Sequence, residues 1–301
     1  MFPVLFRFEL FGHVIQIPGY GVMVATGFVC AVIVAFRLGV KQGVPADGML
    51  DLWFWIVVGA LVGSRGLYVV LNWEQFSGRL WAVPAFWEGG LVFYGGLIGA
   101  LVGALAVVRV DHLPGWRTAD VVAPAVALGH AFGRMGCFAA GCCFGQRTAG
   151  HWGARFSGWS VAYQELARTG RLNPLTTKTT APLHPTQLYE AFGEAAIFFL
   201  LLQVMKKKRF DGMVFAGYLA AYAVLRFTTE LFRGDSTRGY LVEVHWPWLN
   251  HFLGLPSSAH PLLSTSQAFS LAAMVTAVGL GYFLQRAARS PGAAAPGSPK
   301  P

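Results

Sequence analysis

Seven long apolar stretches restrict what this chain can fold into. Each is close to the roughly 20 residues that a helix needs to cross the hydrocarbon core of a bilayer. Because lipid cannot satisfy backbone polar groups, such stretches cross a membrane as helices. We therefore predict an all-α polytopic membrane protein with seven transmembrane helices. The predicted spans are 20–38, 52–71, 89–108, 118–138, 186–205, 212–231 and 267–285.

The composition favours the same class of protein. Only 12% of the residues are charged and 55% are hydrophobic, whereas soluble domains have about 25% charged residues. The net charge of +9 would suit nucleic acid, but the basic residues are spread along the chain and many lie beside apolar spans. We expect a lipid bilayer as a partner and no nucleic acid.

The short basic loops predict the orientation. Lysine and arginine follow the first, third, fifth and seventh spans, and such residues collect on the cytoplasmic side. The N-terminus is then periplasmic and the C-terminus cytoplasmic. The first residues lack the features of a cleaved signal peptide. We expect one membrane domain, 1–290, with a small periplasmic head at 145–183, a periplasmic arm at 234–263 and a disordered tail at 291–301.

Ionisable residues inside membrane spans are costly and indicate function. Arg134 lies between Gly133 and Gly136, with His130 four residues earlier on the same helix face. A guanidinium in this setting suits two-pronged binding of a phosphate. The alternative is an ion pair that only holds helices together.

A second basic stripe lies at the end of the sixth span. Arg226, Glu230 and Arg233 share one helical face, as a rigid cationic surface or as a salt-bridge ladder at a helix end. Arg65 is a third arginine inside a span, for which helix packing is the alternative. Several in-membrane arginines together favour an anionic ligand.

Two further spans carry polar or small residues at helical spacing. Gln187, Glu190 and Glu194 form a polar stripe, and the dipole at a helix start accounts for Glu190. Gly95, Gly99 and Gly103 follow the small-xxx-small pattern of close helix contact. Beside them, the hydroxyl of Tyr94 could reach a ligand or complete a packing contact.

The cysteines do not have the spacing of a metal site. Cys137, Cys142 and Cys143 have no second Cys/His cluster to complete a zinc site, and no CxxC motif is present. We predict that they pack as small apolar residues and that the protein holds no metal.

In this order, the motifs resemble those of the prolipoprotein diacylglyceryl transferase family over most of the chain. "HPTQLYE" and the Arg-x3-Glu-x2-Arg pattern, together in a seven-span chain, are the specific part of the resemblance. The motifs are "GYGVMVATGF", "GSRGLYV", "YGGLIGA", "GRMGCF..GCCFG", "HPTQLYE", "RFTTELFR" and "STSQAFSL".

The resemblance implies a bacterial inner-membrane enzyme. Its family transfers a diacylglyceryl group from phosphatidylglycerol to the lipobox cysteine thiol of a preprolipoprotein and releases glycerol phosphate. It requires neither a metal nor a soluble cofactor. The arginines near the lipid headgroups would stabilise the phosphate of the donor and of the leaving group.

The resemblance also implies roles for individual residues. Those for binding phosphatidylglycerol are Arg134, Tyr20, Arg65, Gln187 and Arg233. Those for catalysis are Tyr94, Arg226 and Glu230.

This sequence departs from the family pattern at several of its positions. Tyr94 replaces the usual histidine, Cys137 and Ala140 replace two asparagines, and Cys142 replaces a glutamate. Phenols ionise only in alkaline solution, so Tyr94 would need cationic neighbours to act as the base. Two alternatives stay open: a divergent paralogue that uses another acceptor or only binds lipid, and a small-solute transporter.

Overall fold

The structure, a computed structural model, describes residues 4–10, 13–235, 240–244, 247–252 and 262–290. The predicted disordered tail and parts of the predicted arm lie outside these residues. Within them, the chain forms mainly helices, with two pairs of short antiparallel strands. The elements are β1 (Val4–Leu10), β2 (His13–Pro18), α1 (Gly19–Lys41), α2 (Ala46–Leu71), α3 (Trp73–Phe76), α4 (Phe93–Val110), α5 (Gly115–Ala140), α6 (Val161–Arg168), α7 (Thr186–Lys206), α8 (Met213–Glu230), β3 (Tyr240–Val244), α9 (Pro247–Phe252), β4 (Leu262–Ser264) and α10 (Thr265–Arg289).

Six of the described helices are long and apolar enough to cross a membrane: α1, α2, α4, α5, α7 and α10. The prediction of a polytopic helical membrane protein is therefore confirmed. The remaining predicted span is the 18-residue helix α8. It is not one of the six, because Arg226 and Glu230 lower its mean hydropathy.

Strands β1 and β2 form an antiparallel hairpin directly before α1, which the sequence analysis did not predict. In β1 the charged residues Arg7 and Glu9 alternate with apolar ones, a period that favours an extended strand with two different faces. Further along the chain, β3 pairs with β4.

The chain divides into two compact units, one of residues 32–121 and one of residues 1–31 with 122–301. In the 32–121 unit, α2 packs against α4 through glycines. A side chain at Gly59 or Gly63 would overlap the backbone of Gly99 or Gly95, and the reverse also holds. The predicted close contact of a glycine-lined helix is confirmed, and the two backbones touch directly along this seam.

In the other unit, glycines also bring helices together. A side chain at Gly27 of α1 would meet Cβ of Phe132 in α5 at 2.6 Å, and one at Gly193 of α7 would overlap Leu225 of α8. Helix α8 packs against both α7 and α10. A capping box fixes the start of α10, because Ser264 and Gln267 satisfy each other's backbone N–H groups.

The 145–183 segment folds around its own apolar cluster. Phe156, Ala162, Leu166 and Leu183 are buried there together with Phe144. Short bridges join this segment's beginning to its end, between 147 and 183 and between 157 and 179. It connects the end of α5 to the start of α7.

Candidate functional site

A buried carboxylate ties three helices together. Glu190, near the start of α7, has its Oε2 atom 2.6 Å from Nε of Arg134 on α5. Its Oε1 atom accepts a hydrogen bond from Nη1 of Arg226 on α8 at 3.0 Å. The Glu190 side chain is only 3% exposed. In such a low-dielectric setting the pairing is strong, so Glu190 holds both guanidinium groups in place.

Arg226 has two further side-chain partners that fix its orientation. Its Nη2 atom lies 2.7 Å from Oε2 of Glu230, one helical turn away, and donates to Oγ of Ser266 on α10 at 2.9 Å. Thr229 donates its hydroxyl to the same Glu190 oxygen that Arg226 contacts, at 3.2 Å. The predicted Arg226–Glu230 stripe is therefore part of a network that joins α7, α8 and α10.

His130 extends this network along α5. Its Nδ1 atom lies 2.6 Å from Oε1 of Glu194, whose side chain is fully buried. Its Nε2 atom accepts a hydrogen bond from Nε of Arg134 at 3.1 Å. Since Nε2 accepts, the proton of the neutral ring lies on Nδ1, the nitrogen next to the Glu194 carboxylate. Both ring nitrogens are thus engaged.

The Arg134 side chain is mostly buried, with 15% of it exposed. Its Nε edge faces Glu190 and His130, whereas none of the described residues accepts a hydrogen bond from its two terminal nitrogens. A side chain built at the neighbouring Gly133 would meet nothing within 4 Å. The two terminal amino groups of an arginine match two oxygens of one phosphate. The arrangement can therefore present a pre-oriented fork to an anion.

The chain reverses sharply after α5. Gly141 adopts a left-handed conformation with φ 74°, and so does Cys143 with φ 57°, which is uncommon for a residue with a side chain. Two side chains at the start of α7 hold this turn. Gln187 donates to the carbonyl oxygen of Cys142 at 2.6 Å, and Thr186 donates to that of Cys143 at 2.8 Å. Gln187, for which the resemblance implies lipid binding, anchors this turn in the structure.

The reversal gathers three thiols next to Arg134. The sulfur atoms of Cys137, Cys142 and Cys143 all lie within 4.8 Å of one another, and the three cysteines are free. Thiol hydrogen bonds from Cys137 and Cys142 lower the pKa of the Cys143 thiol and outweigh its burial; the charges of Arg233 and Arg134 lower that pKa further. Linear spacing did not indicate this cluster, which can in principle hold a metal ion.

Arg233 lies beside the same turn. Its Nε atom donates to Oδ1 of Asp235 at 2.9 Å, and its backbone pairs with Gly145. Burial acts to lower the pKa of Arg233, but the hydrogen bond and charge of Asp235 outweigh this and raise the pKa above its usual value. Arg233 therefore stays cationic, and much of its hydrogen-bonding capacity goes to Asp235.

Tyr20 belongs to the same unit. It lies in the first turn of α1, where a side chain at Gly136 of α5 would meet its ring at 3.1 Å and its carbonyl oxygen at 3.2 Å. The start of α1 therefore packs against the α5 turn that follows Arg134. Of the predicted site residues, Arg134, Tyr20, Gln187, Arg226, Glu230 and Arg233 belong to this unit.

The other two predicted site residues, Arg65 and Tyr94, belong to the 32–121 unit. Arg65 is buried, with 7% of its surface exposed, and donates at 2.7 Å to the carbonyl oxygens of Ala82, Val83 and Gly89. These are partners other than the predicted lipid phosphate. Tyr94 is 70% exposed, and its ring packs edge-on to a neighbouring phenylalanine.

A cavity of about 240 Å³ opens between α8 and α10. Its lining includes Arg226 and Ser266 at the polar end and Tyr222, Phe269 and Ala273 elsewhere. The guanidinium of Arg226 and the hydroxyl of Ser266 therefore border a small cavity whose other lining is largely apolar.

Three residues of this network have a larger role in the structure than their sequence positions indicate. The helix dipole accounts for a carboxylate at position 190, but Glu190 also bridges two arginines. His130 and Glu194 form a contact between α5 and α7 that no local spacing reveals. The available signal was that three ionisable residues fall inside apolar spans, where an ion needs a partner.

Comparisons with known proteins point to one family. A family model described as prolipoprotein diacylglyceryl transferase matches residues 3–283. Three relatives carry the name phosphatidylglycerol--prolipoprotein diacylglyceryl transferase. The one from Geobacillus kaustophilus is 34% identical over 224 residues, which cover 74% of this chain and 78% of the relative. The one from Finegoldia magna is 32% identical over 230 residues, covering 76% and 83%. The one from Acaryochloris marina is 32% identical over 236 residues, covering 78% and 80%.

Proposed function

The chain belongs to the prolipoprotein diacylglyceryl transferase family, and from this premise we propose that it is a phosphatidylglycerol--prolipoprotein diacylglyceryl transferase. It moves the diacylglyceryl group of phosphatidylglycerol to the lipobox cysteine thiol of a preprolipoprotein. Glycerol phosphate leaves. The relatives' names do not favour the transporter or the lipid-binding alternative.

The observation that carries this proposal is the fork of Arg134. Its Nε edge is held by Glu190 and His130, and none of the described residues accepts a hydrogen bond from its terminal nitrogens. The donor lipid brings a phosphodiester anion, and negative charge grows on the leaving phosphate during transfer. Donors fixed in advance at that position stabilise the transition state without reorganising.

The other members of the network have supporting roles. Glu190 and Glu230 hold Arg226 in the lining of the cavity between α8 and α10, where we place it beside the headgroup of the donor lipid. We assign Tyr20 and Gln187 to the lining of the donor-lipid site beside Arg134. Arg65 holds its own loop through backbone carbonyls, so we assign it a positioning role.

Topology completes the proposal. We place α8 in the membrane with the six apolar helices, giving seven spans in the bacterial inner membrane. The N-terminus, the 145–183 head and the 234–263 arm are periplasmic, and the basic loops that follow odd-numbered spans are cytoplasmic. Tyr94 stays a candidate base for the acceptor thiol.

A reconstituted transfer assay tests the function. Purified protein in phosphatidylglycerol liposomes receives a lipobox peptide, and the alkylated peptide and released glycerol phosphate are measured together. We expect both products in equal amounts. A peptide with serine in place of the lipobox cysteine and the Arg134→Ala variant should give neither product, whereas Arg286→Lys, at the far end of α10, should match the wild type. Lipid binding without any product would point to the divergent paralogue.

A further inference from the structure

The acceptor thiol must become a thiolate before it can attack carbon. Around Arg134 the obvious base is His130, but both of its ring nitrogens are engaged, one by Glu194 and the other by Arg134. The cluster of Cys137, Cys142 and Cys143 is a second feature near Arg134 that could deprotonate the acceptor thiol, because a bound metal ion would do so.

The geometry of this cluster fits a soft metal ion. A tetrahedral zinc site has zinc–sulfur bonds of about 2.3 Å, which places its sulfurs about 3.8 Å apart. The three sulfurs already lie within 4.8 Å of one another, so side-chain shifts of about 1 Å suffice. Two of the cysteines follow one another in a left-handed turn that Thr186 and Gln187 hold by its carbonyl groups. The turn is therefore fixed before any ion arrives.

The number of ligands indicates which kind of site this is. Structural zinc sites use four protein ligands, whereas catalytic ones use three and leave the fourth position for water or substrate. Among the described residues, no histidine, carboxylate or further cysteine completes the group. Three thiolates and one Zn²⁺ carry a net charge of −1, which the nearby Arg134 and Arg233 offset.

The cluster lies where the acceptor is needed. Cys137 follows Arg134 by three residues on α5, so the two side chains are neighbours on one helix face. A phosphodiester held by the fork of Arg134 would place its glyceryl carbon next to the open coordination position. The leaving group is then bound by Arg134 on α5, and the nucleophile by a cluster that joins Cys137 on the next turn of α5 to the reversal that follows this helix.

We propose that Cys137, Cys142 and Cys143 bind one Zn²⁺ ion whose fourth ligand is the lipobox thiol of the acceptor. This rests on the proposed transferase function. The thiol loses its proton to solvent as it joins the metal. Its sulfur then forms a bond to the glyceryl carbon that carries the phosphate oxygen. That carbon–oxygen bond breaks, its electron pair leaves on the phosphate of glycerol phosphate, and the thioether product leaves the zinc to its three cysteines.

Metal content is the first test. Protein purified under reducing conditions without chelator should contain about one zinc per chain. Cys137→Ser, Cys142→Ser and Cys143→Ser should each lose it, and Cys30→Ser, a matched change in α1 outside the cluster, should keep it. Removing zinc from the wild type with a chelator should lower transfer by about 10²-fold or more, as expected for loss of proton-transfer catalysis, and added Zn²⁺ should restore it.

A spectroscopic test does not depend on turnover or on the variants folding. Wild-type protein loaded with Co²⁺ should show sulfur-to-cobalt charge-transfer absorption. The cobalt spectrum should change when the lipobox peptide is added without phosphatidylglycerol, and should not change with the serine peptide. Such a change would support binding of the acceptor thiol to the metal, even if no transfer from phosphatidylglycerol is seen. Failure of transfer would instead count against the proposed transferase function.

Two results would overturn the proposal. One is transfer at the full rate by reduced, metal-free protein. This result would leave the proposed transferase function intact and would show that the reaction needs no metal. The other is a cobalt-loaded protein whose absorption spectrum does not change when the cysteine peptide is added. This result would show that the acceptor thiol does not bind to the metal.

Discussion

Replacing Arg134 with lysine separates the charge of this residue from its shape. The fork of Arg134 offers two terminal nitrogens beyond the Nε edge that Glu190 and His130 hold. Lysine has a single nitrogen, which the buried carboxylate of Glu190 will attract. Each charge-assisted hydrogen bond is worth about 1.5–3 kcal/mol, so losing two raises the barrier by about 3–6 kcal/mol. That corresponds to a fall of about 10²–10⁴-fold in kcat/KM.

The assay is the liposome transfer reaction, with kcat and KM for phosphatidylglycerol measured separately. Arg134→Lys keeps the ion pair with Glu190, so its thermal unfolding midpoint should stay close to that of the wild type. Arg286→Lys controls for the chemistry of the substitution.

A specific pair of results would refute the reasoning. If Arg134→Lys folds normally and keeps kcat/KM within about threefold of the wild type, a gap of only about 0.7 kcal/mol, the two-pronged phosphate contact does not exist. An equal loss in Arg286→Lys would point to a general effect on the membrane protein.

Three further predictions concern stability. Glu190→Gln should lower the free energy of unfolding by about 3–5 kcal/mol, because it removes the carboxylate that Arg134 and Arg226 share in a buried site; chemical unfolding in detergent measures this. Arg65→Ala should speed proteolysis of the loop between α2 and α4, since three carbonyl oxygens lose their donor. Burial lowers the pKa of His184, so the folded state binds fewer protons than the unfolded state. Its contribution to stability is full above the unfolded pKa of about 6.5 and is lost as the pH falls through the folded pKa; His184→Gln should flatten the pH dependence of unfolding in that range.

Exposed residues of the same types provide the controls. Glu74→Gln and Arg79→Ala should each change stability by no more than about 0.5 kcal/mol. Equal effects in a test variant and its control would show that the buried residue does not have the stabilising role assigned to it. An unfolding curve for His184→Gln that is as steep in pH as the wild type would exclude this histidine as the titrating group.

Hydrophobic runs predicted the helices well, because the bilayer imposes length and composition on each span. Six predicted spans correspond to apolar helices, and their ends differ by a few residues. The 212–231 stretch is also a helix, α8, but its charges make it less apolar than the rest. The Arg226–Glu230 contact follows from helical spacing alone, and the structure has it at 2.7 Å.

Other contacts could not be predicted because they join distant parts of the chain. The acceptors of Arg65 are backbone carbonyls 17 to 24 residues away, and any sequence supplies such groups. Glu190 meets Arg226 across 36 positions. The cysteine cluster depends on the left-handed conformation of Cys143. A glycine in a sequence predicts this conformation, whereas a cysteine does not.

The glycine seam between α2 and α4 has a consequence for the lipid environment. Because the backbones of Gly59 and Gly99 touch, no side-chain rearrangement can change the spacing of these helices. A helix longer than the local bilayer thickness responds by tilting, and here neither helix can tilt without the other. We expect the two helices to tilt together, as one rigid body, when the bilayer becomes thinner or thicker. Spin labels placed across the seam should keep a constant separation in lipids of different chain length.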